Sequence, residues 1–361
     1  MPFRLSRSQR LVLEHIRNHG GVSRSELTSA TGLSAGALSR LIRELLDSGL
    51  IKEGKRVPIQ RGQPRLPLLL NAEAVWSIGI SFSLYDIEIV AIDFGGEPVA
   101  VRREPLPKSG ADDIFGRCAA LVNDVLRVEG AKRPSPCGVG LALPGYFQPT
   151  GSHHIRPPAP LAVLADFDLS HLGAVFGHQT WVENNSTAAA LAEFYHRPDS
   201  AVESLTVINV GFGFSAGFIV GSRLYRGRGG NAGEIGRIYP RGTPRPSVLD
   251  LIETLRAEGI DISSTADLSA LSDSPDETLR IWIGRAGAQL AHAIDIVDFI
   301  TAPDDIVLGG QVPEALARML FEEITARHPE GAPARLSRLV PLAAAHGAAF
   351  LPIYNTFSPF G

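Results

Sequence analysis

Cysteine is nearly missing from this chain: its 361 residues contain two, Cys118 and Cys137. Neither stands in a metal-ligand spacing, which argues against a thiolate metal site, and two scattered thiols suit a reducing cytoplasm. Long apolar runs are missing as well. The longest, near Leu205 to Val220, is interrupted by Asn209 and three glycines, so no transmembrane helix is expected. The N-terminus lacks the apolar core of a signal peptide, because Arg4, Arg7 and Arg10 lead into a short amphipathic segment that carries Glu14 and Arg17. These absences predict a cytoplasmic protein with no membrane partner. Hydrophobic content of 44% and charged content of 20% are those of a soluble globular chain, long enough for two or three domains.

The charge that is present is unevenly placed. Residues 1–70 carry twelve Lys and Arg against five Asp and Glu, whereas the remainder carries 22 against 33. A small basic module on a large acidic body suggests a nucleic-acid reader joined to something else. Within the basic part, Leu11, Val12 and Ile16 recur at helical spacing over residues 6–19. Ser23 and Glu26 form a capping box for a second helix that ends before Gly32. Ser34 caps a third, with Leu38, Leu41, Ile42, Leu45 and Leu46 as its buried stripe and Gly49 as its stop. Two short helices joined through Thr31, Gly32 and Leu33 make a helix-turn-helix, and the third helix is built to enter a major groove. Its other face carries Ala35, Ser39, Arg40 and Arg43, and its first turn is small enough to approach base edges closely. Strands at 50–53 and 66–70 then form a β-hairpin wing, whose basic tip at 60–65 holds Arg61 and Arg65 for the minor groove or phosphates. The DNA-facing set is therefore Ser34, Ala35, Ser39, Arg40, Arg43, Arg61 and Arg65. The competing reading is a solvated basic surface.

From Val75 onward strands and helices alternate, which predicts an α/β body over residues 71–361 behind a winged helix-turn-helix over residues 1–70. Strands are expected at 77–82, 87–93, 98–102, 138–143, 180–182, 205–210, 214–220 and 306–308, and helices at 111–129, 186–196, 277–300, 313–327 and 343–349. The centre of the body is the run Trp181 to Glu193, a strand, a polar elbow and an alanine-rich helix start. Polar groups at such a junction commonly floor a ligand crevice. A glycine-rich run from Gly211 to Gly236 follows, with one carboxylate, Glu234, inside it. Glycine backbone there can approach a ligand closely.

The blocks Ala142–Gly145, Glu183–Ala190, Gly227–Gly236, Ile306–Gly310 and Ala344–Ala349, behind a helix-turn-helix with the wing Arg61-Gly62-Gln63-Pro64, resemble the ROK family of repressors and sugar kinases. The resemblance covers nearly the whole chain. It implies a two-lobed actin/hexokinase-like (ribonuclease H-like) body, a sugar bound between the lobes, and a homodimer or tetramer.

Departures from the family pattern decide the expected chemistry. Family kinases carry an Asp-x-Gly-x-Thr phosphate loop, and the matching place reads Ser81-Phe82-Ser83-Leu84-Tyr85, without the anion and small backbone that magnesium and phosphates need. The family's catalytic Asp is matched by Asn185, and an amide is no general base. The family's zinc-binding His is matched by Arg237, and Tyr239 to Val248 contains no Cys. No enzyme activity, cofactor or metal is therefore expected. What the resemblance leaves for a ligand is Asn184, Asn185 and Glu234 at sugar-contacting positions, Asp250 near a family Glu, and Arg237, which holds an anionic group or pairs with Glu234. The rival reading is that the two asparagines only cap the helix that follows.

The expected function is a sugar-responsive transcription repressor, with double-stranded operator DNA and a sugar or sugar derivative as partners. A bifunctional sugar kinase that binds DNA is the alternative. A DNA-bound protein whose body only dimerises is the third possibility.

Overall fold

Ser6 accepts from the Gln9 amide and the Gln9 side chain accepts from the Ser6 amide, so a capping box starts α1 (Arg7–His19). Ser23 and Glu26 start α2 (Arg24–Thr31) by the same reciprocal bonds, as the sequence predicts. Ser34 caps α3 (Ala35–Asp47), whose buried stripe is Leu38, Leu41, Ile42 and Leu45. The strand β1 (Ile51–Glu53) pairs antiparallel with β2 (Leu68–Leu70), and Val22 bridges to Leu68. This is a winged helix-turn-helix. The computed structural model describes residues 4–56, 66–148, 153–197, 200–240, 242–331 and 333–361. Arg61 and Arg65, with the rest of the expected wing tip, lie outside the described residues.

The body is built from two sheets of the same plan. In the first lobe β3 (Trp76–Phe82), β4 (Asp86–Asp93) and β5 (Pro98–Pro105) form an antiparallel meander. The helix α4 (Ala111–Glu129) leads to β6 (Val139–Leu143), parallel to β3. The two-residue strands β7 (Tyr146–Phe147) and β8 (Ile155–Arg156) pair as a separate ribbon. After α5 (Leu172–Phe176), β9 (Thr180–Asn184) completes the order β5-β4-β3-β6-β9. The second lobe repeats this. After α6 (Asn185–Tyr195) come β10 (Leu205–Val210), β11 (Phe214–Val220) and β12 (Arg223–Tyr225), again an antiparallel meander. Then α7 (Val248–Ala257), α8 (Thr265–Asp273) and α9 (Glu277–Thr301) precede β13 (Asp305–Gly310), parallel to β10. After α10 (Glu314–Ala326), β14 (Arg335–Leu336) closes the order β12-β11-β10-β13-β14, and α11 (Ala343–Phe357) ends the fold. The inner strands β3 and β10 are buried along their whole length, as mostly apolar strands covered on both faces are.

Two helices join the lobes. α11 packs on β3 and β6 of the first sheet, α6 on β10 and β11 of the second, and the helices pack on each other. Their crossing is close because small residues line it: Ala142, Ala188, Ala344 and Ala348 form one buried cluster. A Cβ at Gly347 would lie 1.7 Å from the Ala188 carbonyl oxygen, so only glycine fits there.

Several features depart from the sequence expectations. Leu11, grouped with Val12 and Ile16 by helical spacing, is 36% exposed, while Leu13 and Glu14 are buried. The reason is tertiary: α1 is covered on one side by the head and on another by the body, where Val12, Leu13 and Ile16 join the cluster containing Phe94, Phe350 and Phe357. The last helix runs to Phe357 rather than stopping near 349, passing through Pro352. The bond that Pro352 cannot donate falls at the Ala348 carbonyl, which abuts Gly140 so closely that a Cβ there would sit 1.8 Å away. The helices α7 and α8 were not anticipated, although each begins with a Ser cap and an Asp three residues on, Ser247 with Asp250 and Ser264 with Asp267. The short strands β12 and β14 were not anticipated either; each adds two or three residues to a sheet edge. Among the described residues no helix is long and apolar enough to cross a membrane.

Candidate functional site

A cleft of about 660 Å³ opens where the carboxyl ends of β6, β9, β10 and β13 meet the loop before α7. That volume lies within the range of small-molecule sites. Of the residues expected at a ligand, Asn184, Asn185, Glu234 and Asp250 line it, and Arg237 is not among the lining residues.

Their chemistry differs. Asn184 is the cap of α6: its Oδ1 accepts from the Ser186 amide at 2.9 Å and hydroxyl at 2.7 Å, and its Nδ2 donates to the Gly145 carbonyl at 2.9 Å. Its hydrogen-bonding groups are engaged within the protein. Asn185, the first residue of α6, is only 4% exposed, and its Oδ1 has no partner. Asp250 takes the Trp282 indole N–H at 2.7 Å and the Arg285 guanidinium on Oδ1, and the Arg245 amide at 3.0 Å on Oδ2. It ties α7 to α9. Glu234 is partly buried, and burial holds its carboxyl above the usual range against the opposing effects of the Tyr146 hydroxyl and Arg237. Arg237 is exposed, with its guanidinium 5.0 Å from the centre of the Tyr146 ring. Tyr146 thus sits between the two.

Sequence reasoning missed Asn209 and Gln311. Asn209 was read only as an interruption of an apolar run, and Gln311 follows the Gly309-Gly310 turn. Parallel pairing sets Asn209 opposite Gly309, and the Gln311 amide donates to the Val210 carbonyl at 3.0 Å, so the two side chains lie together on the cleft wall. Asn209 Nδ2 reaches Gln311 Oε1 at 3.5 Å, which leaves Asn209 Oδ1 and Gln311 Nε2 without partners. An unpartnered buried polar atom costs about 1–3 kcal/mol. The cleft wall therefore holds three such atoms, one each on Asn185, Asn209 and Gln311.

A second cavity of about 270 Å³ lies beyond Gln311, the one residue that lines both among the described residues. Its wall includes Ser83, Leu84 and Tyr85 from the turn between β3 and β4. That turn is fastened to the other lobe: the Tyr85 hydroxyl donates to the Ile262 carbonyl at 2.7 Å, and the Thr265 hydroxyl donates to Asp86 at 2.5 Å. Ser81 is fully buried and donates to Glu88 at 3.0 Å, and Arg103 donates to the other Glu88 oxygen at 3.2 Å. Burial pushes the Glu88 carboxyl up to about 7, more than the nearby Arg103 lowers it. The folded state thus holds this proton more tightly than the unfolded chain. The stability this confers is complete below about pH 4.5 and is lost as pH rises through about 7. Glu88→Gln, which cannot ionise, is expected to flatten the fall in melting temperature between those limits, read by thermal denaturation across pH.

On the head, Ser34, Ala35, Ser39, Arg40 and Arg43 are all exposed. Arg40 and Glu44 are 3.8 Å apart on the helix surface, a pair that solvent screens and that leaves Arg40 free to exchange partners. Head and body meet at a polar knot within the apolar contact. The Tyr195 hydroxyl, at the end of α6, donates to Glu14 of α1 at 3.2 Å. Arg17 donates to the Phe94 carbonyl at 2.6 Å and lies over the Phe94 and Tyr195 rings, at 4.8 and 5.2 Å. Burial holds the Glu14 carboxyl above its usual range despite Arg17 beside it.

Comparison with known proteins follows this division. Residues 77–248 match the ROK family and residues 5–57 match the MarR family. The uncharacterized protein y4fQ of Sinorhizobium fredii (strain NBRC 101917 / NGR234) is 33% identical over 362 residues, spanning 98% of this chain and 92% of that protein. This chain belongs to the ROK family. Another relative, the DNA-binding transcriptional dual regulator NagC of Escherichia coli (strain K12), is 24% identical over 327 residues, 84% of this chain and 80% of NagC. The ROK fold itself is shared with a crystal structure described as a ROK family transcriptional regulator, a homolog of the E. coli MLC protein. The TM-score is 0.71 at 21% identity, covering 97% of this chain and 96% of that one.

Proposed function

We propose that this ROK protein is a cytoplasmic transcription repressor whose hold on operator DNA is controlled by a carbohydrate in the cleft, and that it transfers no phosphoryl group. Residues 1–70 act as the DNA-binding head and residues 71–361 as the sensing body. Ser34, Ala35, Ser39, Arg40 and Arg43 on α3 meet the major groove, and Arg61 and Arg65 on the wing meet the minor groove or phosphates. Two heads in a homodimer or tetramer read a palindrome, since matched half-sites need matched readers. NagC, a named DNA-binding regulator, supports the DNA half of this reading.

The observation that carries the proposal is α6. It begins in the cleft at Asn185, with an unpartnered side-chain oxygen, and ends at Tyr195 on Glu14 of the head. Eleven helical residues span about 16 Å, and every one from Asn185 to Phe194 is buried. A ligand that draws on the Asn185 amide therefore acts on one end of a rod whose other end holds the head. Coupling requires that the ligand favour one head position over another. The Tyr195 bond to Glu14 is the contact through which a shift of α6 reaches α1.

Three features support the absence of phosphotransfer. Asn185 stands where the family kinases place their base and takes no proton at neutral pH. The Ser81 hydroxyl is committed to Glu88. Tyr85 is bonded across the lobes at the place of the phosphate loop. The cleft nevertheless keeps ligand chemistry, because Glu234 accepts from vicinal hydroxyls while amides both donate and accept.

The test is fluorescence anisotropy with DNA from upstream of the protein's own gene, at about 0.15 M salt. Binding is expected, and a saturating sugar from a panel including D-xylose, D-glucose and N-acetyl-D-glucosamine should weaken it by about 5–150-fold. Asn185→Ala should keep the DNA affinity and lose that response. No DNA binding, or ATP consumption with any sugar of the panel, would overturn the reading.

A further inference from the structure

The cleft is richer in neutral hydrogen-bonding groups than in cations. Two guanidiniums line it among the described residues, Arg156 and Arg245, beside the carboxylates Glu234, Asp250 and Glu253. Arg245 donates to the Tyr239 carbonyl at 2.8 Å, and Arg156 is exposed. Both helix starts at the cleft are already capped. Asn184 accepts from the Ser186 amide at the start of α6, and Ser247 accepts from the Asp250 amide at the start of α7, which also carries the Asp250 charge. A phosphate would find both of these helix termini already occupied, and the Arg156 cation lies at the exposed side of the cleft rather than on its buried wall.

At the wall where this cleft adjoins the second cavity, Gln311 lines both and Asn209 lies beside it on the cleft side. Asn209 is 4% and Gln311 7% exposed, and together they leave one acceptor and one donor unpartnered. Exchanging O and N in both amides leaves the same set. The terminal torsion of an amide side chain is soft, so small rotations bring these atoms to a ligand in the cleft. A Cβ on Gly211 would come 2.7 Å from Gln311 Oε1, so glycine there is what lets Gln311 lie in this place.

We propose that Asn209 and Gln311 form the inner end of the ligand site and select an uncharged hydroxyl, so that the effector is a free sugar and not its terminal phosphate ester. One hydroxyl donates to the free acceptor and accepts from the free donor, which satisfies both atoms at once. A phosphate dianion offers acceptors only. It would set its charge against the Asn209 and Asn185 oxygens. This inference rests on the carbohydrate reading and adds the charge state of the ligand to it.

The test is thermal shift and calorimetric titration of the full chain. The probes are D-glucose, D-mannose, N-acetyl-D-glucosamine and D-xylose, each beside its 6-phosphate or, for xylose, 5-phosphate. A free sugar is expected to bind at least about a hundredfold more tightly than its ester, because the ester leaves buried amides unsatisfied beside a desolvated charge. Gln311→Leu should weaken that sugar by about tenfold. The analogue lacking the terminal hydroxyl should bind wild type and Gln311→Leu alike. The comparison of sugar with ester uses wild-type protein, so it stands whether or not the variant folds. An ester that binds as tightly as its sugar and releases DNA would overturn this inference and leave the carbohydrate reading intact. Failure of every sugar and every ester to bind a cooperatively folded sample would overturn both.

Discussion

Gly347→Val is expected to leave almost no soluble folded protein. Its Cβ would lie 1.7 Å from the Ala188 oxygen and 2.2 Å from the Ala188 carbonyl carbon, both backbone atoms of a helix buried on every side. Neither neighbour can give way by rotating a side chain, so α6 and α11 must separate. Separation opens the contact that joins the two sheets and exposes the alanine cluster around it. The expected cost is at least about 4 kcal/mol, a large share of an ordinary domain's stability. Yield of soluble protein and chemical denaturation read it. A matching change at Gly36, where a Cβ would meet nothing within 4 Å, should leave the body's stability nearly unchanged and serves as control.

The second large effect concerns the head. Replacing Arg40 and Arg43 together by alanine is expected to lower operator affinity by about 10²–10³-fold. Both side chains are exposed on α3 and neither packs into the core, so the substitution should not unfold the head. If both contact phosphates, the slope of log affinity against log salt should fall by about 2. If one reads a base instead, the slope should fall by about 1 while discrimination between operator and unrelated DNA shrinks. Sugar binding in the body should be unchanged in either case. Anisotropy across a salt series separates the two outcomes.

What was legible in the sequence, and what was not, follows from the range of the forces involved. Helix starts are local events, and Ser23 with Glu26 or Ser34 before Ala35 could be read without the fold. The α/β alternation was legible for the same reason, since strand and helix periods are set within a few residues. Glu14 shows the limit. It sits on a helix face shared by head and body, and nothing within its own helix announces that Tyr195, 181 positions away, will donate to it. The last helix runs past its expected end at 349 and through Pro352, and the carbonyl left without a donor there abuts Gly140 on a different element. The cleft was half legible. Asn185 and Glu234 lie in blocks with recognisable spacing, whereas Asn209 and Gln311 become neighbours only through parallel pairing of strands about a hundred residues apart. Asp250 and Asn184 carry the right chemistry for a sugar, but the structure shows them holding α7, α9 and α6 in place.

The account stands or falls on coupling between cleft and head, and coupling is reciprocal. The most direct measurement is calorimetric titration of the effector sugar into the protein alone and into the protein saturated with operator DNA. The account predicts that DNA weakens sugar binding by the same factor by which sugar weakens DNA binding, about 5–150-fold. Equal sugar affinity with and without DNA, in a protein that binds both, would contradict it.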